Sequence, residues 1–301
     1  MPSQTSPQTA PQPAIVPLYP EQLREFAAKA GEPDYLLVDV RQPGEYLEGH
    51  IPGARLLPLP ELEQSLDQLR GKASLIFYCR SGVRSLSASN LARAALSPEI
   101  RIANLMGGFM AWEGRFLTDM PRLELFIPDG DTAQGQNGQD ATQVLLRAMD
   151  LEKAAELFYL AAAAKARIPE MAEALAKLVK VEQAHARVIF HRLQQVDAGY
   201  AGMDFTTCHA GLKGDILEGG MSLEEAVNRL DTAAGQDGAH DEFCLGITEL
   251  ALQIELAAYD LYKNLAGLHA RTELEPVFLE LARDELNHQR VLAGLLPRCA
   301  T

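Results

Sequence analysis

The sequence predicts two domains of different fold class: an α/β domain with a parallel sheet, followed by an all-α four-helix bundle. Residues 18–122 alternate short apolar runs with amphipathic stretches, an order typical of a parallel sheet covered by helices. Residues 141–296 show helical periodicity almost throughout. At 301 residues the chain is long enough to build a separate core in each domain.

Two continuous apolar runs define the first domain. YLLVDV (35–40) and SLIFYC (74–79) have the composition of strands that are buried on both faces. Three amphipathic stretches around them predict helices: EQLREFAAKA, ELEQSLDQL and RSLSASNLARAAL. Cys79 closes the second run. Because functional groups gather at the carboxyl ends of parallel strands, the loop after this cysteine is a candidate site.

Two segments contain little that could be buried. Residues 1–17 are rich in Pro, Gln and Thr, which predicts a disordered tail, and they lack the basic and apolar regions of a signal peptide. Residues 123–140 are rich in Gly, Gln and Asp and predict a flexible linker between the domains.

Four long helices are predicted for the bundle, and Pro169 and Pro276 suit the first turns of the second and fourth. A long, glycine-rich connection separates the second helix from the third and predicts a crossover between two helix hairpins, with a short helix inside it. The predicted segments are 141–167, 169–196, the crossover 197–240, 241–267 and 275–295.

One metal-ligand pattern occurs twice in the bundle. A lone Glu is followed thirty residues later by Glu-x-x-His, and the two copies share one offset (255 − 152 = 285 − 182 = 103). Residues three apart share a helix face, so each Glu-x-x-His presents a carboxylate beside an imidazole. Four helices with these side chains supply a dinuclear carboxylate site, and chance spacing on solvated faces is the alternative. The candidate ligands are Glu152, Glu182, His185, Glu255, Glu285 and His288.

Composition narrows the range of partners. The formal net charge of −14 argues against nucleic acid and anionic membranes, since both bind positive surfaces. No run approaches the roughly 18 apolar residues of a membrane span. Four cysteines without a CxxC pair predict reduced thiols and a cytoplasmic location. Among them, Cys244 is expected to be a small buried residue and Cys299 a thiol of the C-terminal tail.

The segment Cys79–Ser85 opens a predicted helix and carries two arginines. A helix amino terminus and nearby arginines stabilise a thiolate, and the amides of such a loop can hold an anion. Two chemistries remain open from these residues alone, attack on phosphate and attack on a sulfane sulfur.

Here the chain resembles the rhodanese family over residues 18–118. The matching motifs are Asp39-Val40-Arg41 with Glu45-Tyr46, the run Gly49–Ala54, the loop CRSGVRS, and Gly107-Gly108-Phe109 with Ala111-Trp112. The resemblance implies a persulfide on Cys79 and an anion-binding loop formed by the amides of residues 80–84, with Ser81, Gly82 and Val83 at its centre. It also implies that Arg80 and Arg84 engage an anionic sulfur donor such as thiosulfate or a persulfide.

Loop length favours sulfur over phosphorus. Cys79 to Arg84 is six residues, whereas the related phosphatases and arsenate reductases use a seven-residue loop that is wide enough for phosphate or arsenate. Asp39 and Arg41 are expected to support the loop through hydrogen bonds. We expect His50 to cap or pack and Trp112 to lie in the core.

The second half resembles the rubrerythrin branch of the ferritin-like proteins over residues 141–296. The resemblance implies two irons held by the six candidate ligands, although manganese or zinc would suit the same ligand types. Tyr159 and Tyr262 follow the lone glutamates at +7, on the same helix faces, and are expected to lie just outside the ligands. Ala258 stands where rubrerythrins have a further Glu, and the rubredoxin-type CxxC pairs are absent, which implies an external electron donor.

Three further side chains near the motifs remain as candidates. Glu156 follows Glu152 by one turn, and a solvated position is favoured for it over a place beside the ligands. His191 lies off the face of His185. His209, beside Cys208 in the crossover, is a weak candidate for a metal or redox role.

Two functions fit these observations. In the first, Cys79 passes sulfane sulfur to a thiol acceptor, and a di-iron bundle reduces peroxide or dioxygen or oxidises a sulfur species, at a raised effective concentration because the domains are tethered. In the second, the bundle handles iron or forms a homodimer, and the first domain carries sulfur to a protein. An arsenate or phosphate enzyme is a third, weaker alternative.

Overall fold

Two units of different class make up the chain, Met1–Asp119 and Met120–Thr301. The structure is a computed structural model, and it describes residues 13–29, 34–114, 116–126, 141–235 and 240–299. The predicted tail over residues 1–12 and the predicted linker over residues 127–140 lie outside the described residues.

A five-stranded parallel sheet forms the first unit, in the order β1-β5-β4-β2-β3. The strands are β1 (Val16–Leu18), β2 (Tyr35–Asp39), β3 (Arg55–Leu56), β4 (Ser74–Tyr78) and β5 (Arg101–Leu105). The two predicted strands are β2 and β4, which pair directly with Leu36 opposite Leu75. Because β4 is the central strand, the loop that follows it leaves the middle of the sheet.

Helices cover both faces of this sheet, which is why β2 and β4 are buried at every position. The helices are α1 (Pro20–Lys29), α2 (Pro43–Leu47), α3 (Leu59–Ser65) and α4 (Val83–Ala95). Alternate strand residues enter opposite cores, as the period of two requires. Val38 and Phe77 pack with α3 and α4, while Ile76 packs on the other face with α1 and α2.

Two boundary predictions are wrong. Val16 and Pro17, assigned to the tail by composition, lie in β1, where Val16 pairs with Ala103. Pro17 is tolerated because β1 is an edge strand. Leu123–Phe126, assigned to the linker, form a 3₁₀ turn, and the ring of Phe126 is buried edge-to-face against Phe278. Burial of these apolar side chains outweighs the loop-like composition around them.

Two long helix hairpins form the second unit, and the predicted helix bounds are confirmed to within two residues. The four helices are α5 (Ala141–Lys165), α6 (Pro169–Val196), α9 (His240–Leu268) and α10 (Glu275–Ala293). The crossover contains α7 (Phe205–Ala210) and α8 (Leu223–Gly235), and α11 (Leu296–Cys299) follows the bundle. In the part of the chain that is described, no helix is both long and apolar enough to cross a membrane.

The prediction of four reduced thiols is wrong for one pair. Cys244 in α9 and Cys299 in α11 form a disulfide, with Cα atoms 5.2 Å apart although 55 residues separate them. The hairpin of α9 and α10 returns the chain to the start of α9, and this tertiary proximity leaves no trace in the spacing of the cysteines. Cys79 and Cys208 are free and buried.

Candidate active loop and metal centre

The thiol of Cys79 lies at the amino terminus of α4. The backbone N–H of Gly82 donates to Cys79 Sγ at 3.2 Å, and Gly82 has a φ of +95°, a left-handed conformation that favours glycine. The Ser85 hydroxyl lies 3.5 Å from the sulfur and 2.6 Å from Asn104 Oδ1. It has one proton to donate, so either the sulfur or the amide oxygen receives it at a given moment.

These donors stabilise the thiolate. Burial alone raises the pKa of Cys79, but the Ser85 hydroxyl and the backbone N–H groups of Ser81, Gly82 and Ser85 outweigh burial and lower it. Hydrogen bonds to a charged form favour that form, and the helix terminus adds positive potential. The predicted nucleophile therefore stands in a site that favours its reactive state.

Asp39 and Arg41 form a buried ion pair at the end of β2. Arg41 Nη2 donates to Asp39 Oδ2 at 2.6 Å and to the carbonyl of Gly49 at 2.7 Å. The guanidinium also lies over the ring of Phe109, 4.6 Å from its centroid. The pair thus fixes the Gly49 segment and Phe109, and Phe109 N–H in turn donates to the Cys79 carbonyl at 2.8 Å. The ion pair therefore supports the loop indirectly, by holding Phe109 in place.

The two loop arginines differ in their surroundings. Arg84 forms a bidentate ion pair with Glu45, at 2.7 and 2.6 Å, and the hydrogen bonds from Arg84 lower the pKa of Glu45 to about 2. Arg80 is exposed. Of the two side chains expected to pack, His50 is buried and stacks on Tyr46, 3.7 Å between centroids, whereas Trp112 is half-buried.

The six predicted metal ligands converge inside the bundle. They form overlapping groups, each with ligand atoms within 4.8 Å of one another: one joins Glu152, Glu182, His185 and Glu285, and another joins Glu182, Glu255, Glu285 and His288. All six side chains are buried. The helices therefore bring both copies of the repeat to one place, as the periodicity predicts.

Each imidazole directs its Nδ1 atom at carboxylates. His185 Nδ1 lies 3.1 Å from oxygens of both Glu152 and Glu182. His288 Nδ1 lies 3.0 Å from Glu255 and 3.1 Å from Glu285. Burial disfavours charge on these rings, yet the surrounding carboxylates outweigh it and raise the pKa of both histidines well above the ordinary value.

Two tyrosines cross-link the copies of the repeat. Tyr159 of the first copy donates its hydroxyl proton to Glu255 of the second, and Tyr262 of the second donates to Glu152 of the first. Both hydroxyls are buried, and burial together with these carboxylates raises their pKa well above the ordinary value. The tyrosines remain neutral donors that orient the two lone glutamates.

The environment of Glu156 differs from the solvated position that the sequence favours. Its carboxylate is buried, accepts a hydrogen bond from Gln183 Nε2 at 2.7 Å and lies 3.1 Å from His209 Nε2. A solvated position is therefore wrong for this residue. The physical reason is the crossover, which brings His209 over the face of α5 that an isolated helix would expose. His191 is exposed, as its place off the face predicts.

Sequence reasoning missed two acidic residues at the cluster. Asp284 approaches His185 Nε2 at 3.6 Å, and His185 lowers the pKa of this carboxyl. Glu218, in the crossover, is 2% exposed. Asp284 directly precedes the ligand Glu285, a signal that could have been used. Nothing in the pattern around Glu218 marks it.

Comparisons with known proteins agree with both halves of this description. The rhodanese-like domain family matches residues 22–115, and the rubrerythrin family matches residues 143–239. Uncharacterized protein YqhL of Bacillus subtilis is 40% identical over 93 residues, which are 31% of this chain and 72% of that protein. A sulfurtransferase of Allochromatium vinosum is 38% identical over 79 residues, 26% of this chain and 72% of the relative.

The chain belongs to the rhodanese-like family. It joins this domain to a rubrerythrin domain in one polypeptide. Among solved structures, a rhodanese-like domain protein from Staphylococcus aureus is 25% identical, with a TM-score of 0.30, and covers 34% of this chain and 94% of that chain. The rubrerythrin match ends before Glu255, so the second copy of the ligand pattern lies beyond it and is placed by the structure.

The cluster in the rubrerythrin domain fits a metal centre. Four buried carboxylates in one site repel one another unless positive charge lies among them. In the structure this charge falls on the two histidines, whose pKa values the carboxylates raise. Metal ions would displace those protons, and carboxylates with imidazoles are a ligand set that suits iron, manganese and zinc.

The rhodanese loop depends on close backbone contact at Gly108. This residue has a φ of +58°, and an added Cβ would lie 2.2 Å from the Cys79 carbonyl oxygen. Gly108→Ala is therefore expected to displace the loop and to lower sulfur transfer by roughly 10–100-fold. Steady-state assay with thiosulfate measures this loss.

Gly44→Ala is the matched control. Gly44 lies in the same domain, near Glu45, and a Cβ there meets nothing within 4 Å. Its activity should equal that of the unaltered protein. Equal activity of Gly108→Ala and Gly44→Ala would show that the loop does not need this contact.

Proposed function

We propose that the chain is a sulfurtransferase that forms a persulfide on Cys79, joined to a di-iron bundle with oxidoreductase activity. The geometry of the Cys79 thiol is the observation that carries the first part. Its sulfur lies at the start of α4, 3.2 Å from the backbone nitrogen of Gly82, which donates a hydrogen bond to it. The six-residue loop supports sulfane sulfur rather than phosphate as the group it receives.

Sulfur transfer would proceed in two displacements. The Cys79 thiolate attacks the outer sulfur of thiosulfate, the bond between the two sulfurs of the donor breaks, and sulfite leaves with the electron pair. The thiolate of an acceptor then attacks the outer sulfur of the persulfide, and Cys79 leaves as a thiolate. The loop N–H groups that lower the pKa of Cys79 favour its anionic form before and after the cycle.

The positive charges of the two loop arginines favour an anionic sulfur donor. Arg80 is exposed beside the loop and free to meet a sulfonate group. Arg84 is held by Glu45 in a fixed orientation, and the negative charge of Glu45 and of Cys79 raises the pKa of its guanidinium. In this proposal Arg80 binds the donor, and Arg84 supplies positive potential at the thiolate.

Two irons would be held in the bundle by Glu152, Glu182, His185, Glu255, Glu285 and His288, with the histidines binding through Nδ1. When bound, iron would supply the redox chemistry that reduces peroxide or dioxygen, or that oxidises a sulfur species, with an external electron donor. Tyr159 and Tyr262 would keep Glu255 and Glu152 oriented.

The decisive experiment uses the full chain prepared without air. Incubation with thiosulfate should add the mass of one sulfur atom at Cys79, removable by a thiol, and elemental analysis should find about two irons per chain. The reduced protein should then consume peroxide over many turnovers.

Uptake of iron with a single stoichiometric reaction would favour the alternative, an iron-handling or dimerising bundle beside a sulfur carrier. Absence of the persulfide would contradict the first half of the proposal.

A further inference from the structure

The crossover contributes one buried carboxyl group that is outside the six ligands. Glu218 lies in the crossover between α7 and α8 and is 2% exposed. Among the described residues its Oε2 atom has no hydrogen-bond partner. A buried carboxyl oxygen without a partner costs stability, so its presence points to a ligand or a reaction that it serves.

A tight turn fixes the position of Glu218. Gly220 N–H donates to the Leu217 carbonyl at 2.8 Å, and Leu217 N–H donates to the Met221 carbonyl at 2.9 Å. Gly220 takes a φ of +79°, and Arg122 Nε donates to the Gly219 carbonyl at 3.3 Å. Leu217 itself is fully buried in the bundle core. Glu218 therefore stands at the tip of an ordered turn that is anchored on both sides.

The turn lies across the two helices that carry the lone glutamates. On α5, Asp150 accepts hydrogen bonds from the N–H groups of Lys213 and Gly214, at 2.8 and 2.9 Å. On α9, a Cβ built on Gly219 would lie 3.1 Å from the Cβ of Ala257. Asp150 lies two residues before Glu152 on α5, and Ala257 lies two residues after Glu255 on α9.

The electrostatics of Glu218 agree with this placement. Burial, and then the charge of Glu152, raise the pKa of Glu218 well above its ordinary value, although a hydrogen bond from its own backbone N–H lowers it; Glu182 and Glu255 add smaller upward contributions. The negative charges of three of the six ligands therefore act on this carboxyl group. Its oxygens are outside the groups of ligand atoms within 4.8 Å of one another.

We propose that Glu218 is a seventh metal-ligating side chain, which adds a fifth carboxylate to the centre from the crossover. This inference rests on the proposed di-iron function. Rotation of the side chain about the fixed turn would bring the carboxylate to a metal ion that is already held by the six ligands. The additional negative charge would favour the more highly charged state of the metals.

Cobalt(II) titration of the metal-free full chain tests the proposal, because the visible absorption of this ion reports its number of ligands. Glu218→Gln should keep the stoichiometry, weaken cobalt binding by roughly 10–100-fold and change the absorption spectrum. Asp215→Asn is the matched control, since it makes the same change from carboxyl to amide at an exposed position of the same turn. It should bind cobalt like the unaltered protein.

Thermal unfolding separates a ligand from a structural residue. Glu218→Leu removes a buried carboxyl group with one unpartnered oxygen, so the metal-free variant should melt at a higher temperature, while the gain in Tm on adding cobalt should shrink. A structural role predicts a lower Tm without metal instead. Cobalt affinity and spectrum that are unchanged in Glu218→Gln would overturn the proposal while leaving the di-iron function intact. Absence of cobalt binding in the unaltered protein would overturn both.

Discussion

Cys79→Ser is expected to abolish sulfur transfer, with a loss of about 10³-fold or more. A serine hydroxyl is protonated at neutral pH and does not form a persulfide, so both displacements lose their nucleophile. The structure supports the choice of this residue, because the N–H of Gly82 and the hydroxyl of Ser85 are placed to stabilise a thiolate on Cys79. Transfer from thiosulfate to cyanide, together with intact mass after incubation with the donor, provides the measurement.

Cys208→Ser is the control for this variant. Cys208 is the other free cysteine among the described residues, and burial raises its pKa, so it is a poor nucleophile. Its loss should leave sulfur transfer unchanged. The lowered pKa of Cys79 also fixes the direction of the pH profile: activity rises as the thiolate forms and reaches its plateau below the pH at which an ordinary thiol ionises. Full activity of Cys79→Ser would refute the persulfide mechanism.

The first domain shows which strands a sequence reveals. β2 and β4 were predictable because both of their faces are covered and their central runs, Leu36–Val38 and Leu75–Phe77, are apolar. β5 contains Arg101 and Asn104, β3 has two residues, and β1 carries a proline. These three strands depend on pairing with a neighbour that is already in place, which is information that local composition does not hold.

The metal cluster shows the same division between local and tertiary information. The spacing of Glu182 and His185 follows from the helical period, and repetition at Glu285 and His288 makes the pattern specific. The environment of Glu156 and the burial of Glu218 could not be predicted, because both depend on the path of the crossover over the bundle. The disulfide of Cys244 and Cys299 escaped prediction for the same reason.

Removal of one lone glutamate is expected to have the largest effect on the bundle. Glu152→Ala should lower the iron content from about two per chain to one or less, and should reduce peroxide consumption by at least roughly 100-fold. Glu152 contacts His185 and accepts a hydrogen bond from Tyr262, so its loss also frees the side chains that orient the rest of the site. Elemental analysis of protein prepared without air measures the first effect, and peroxide consumption by the reduced protein measures the second.

Glu156→Gln is the control that separates a ligand from a buried neighbour. Glu156 lies one turn from Glu152 on α5 and is also buried, but its partners are Gln183 and His209. The Glu156→Gln variant should therefore keep its iron content and its rate of peroxide consumption. Sulfur transfer should be normal in both variants, because the thiolate of Cys79 depends on donors of its own loop. If Glu152→Ala retained full iron and full peroxide turnover, the six-ligand assignment would be wrong, and the buried carboxylates would have to be balanced by protonated histidines alone.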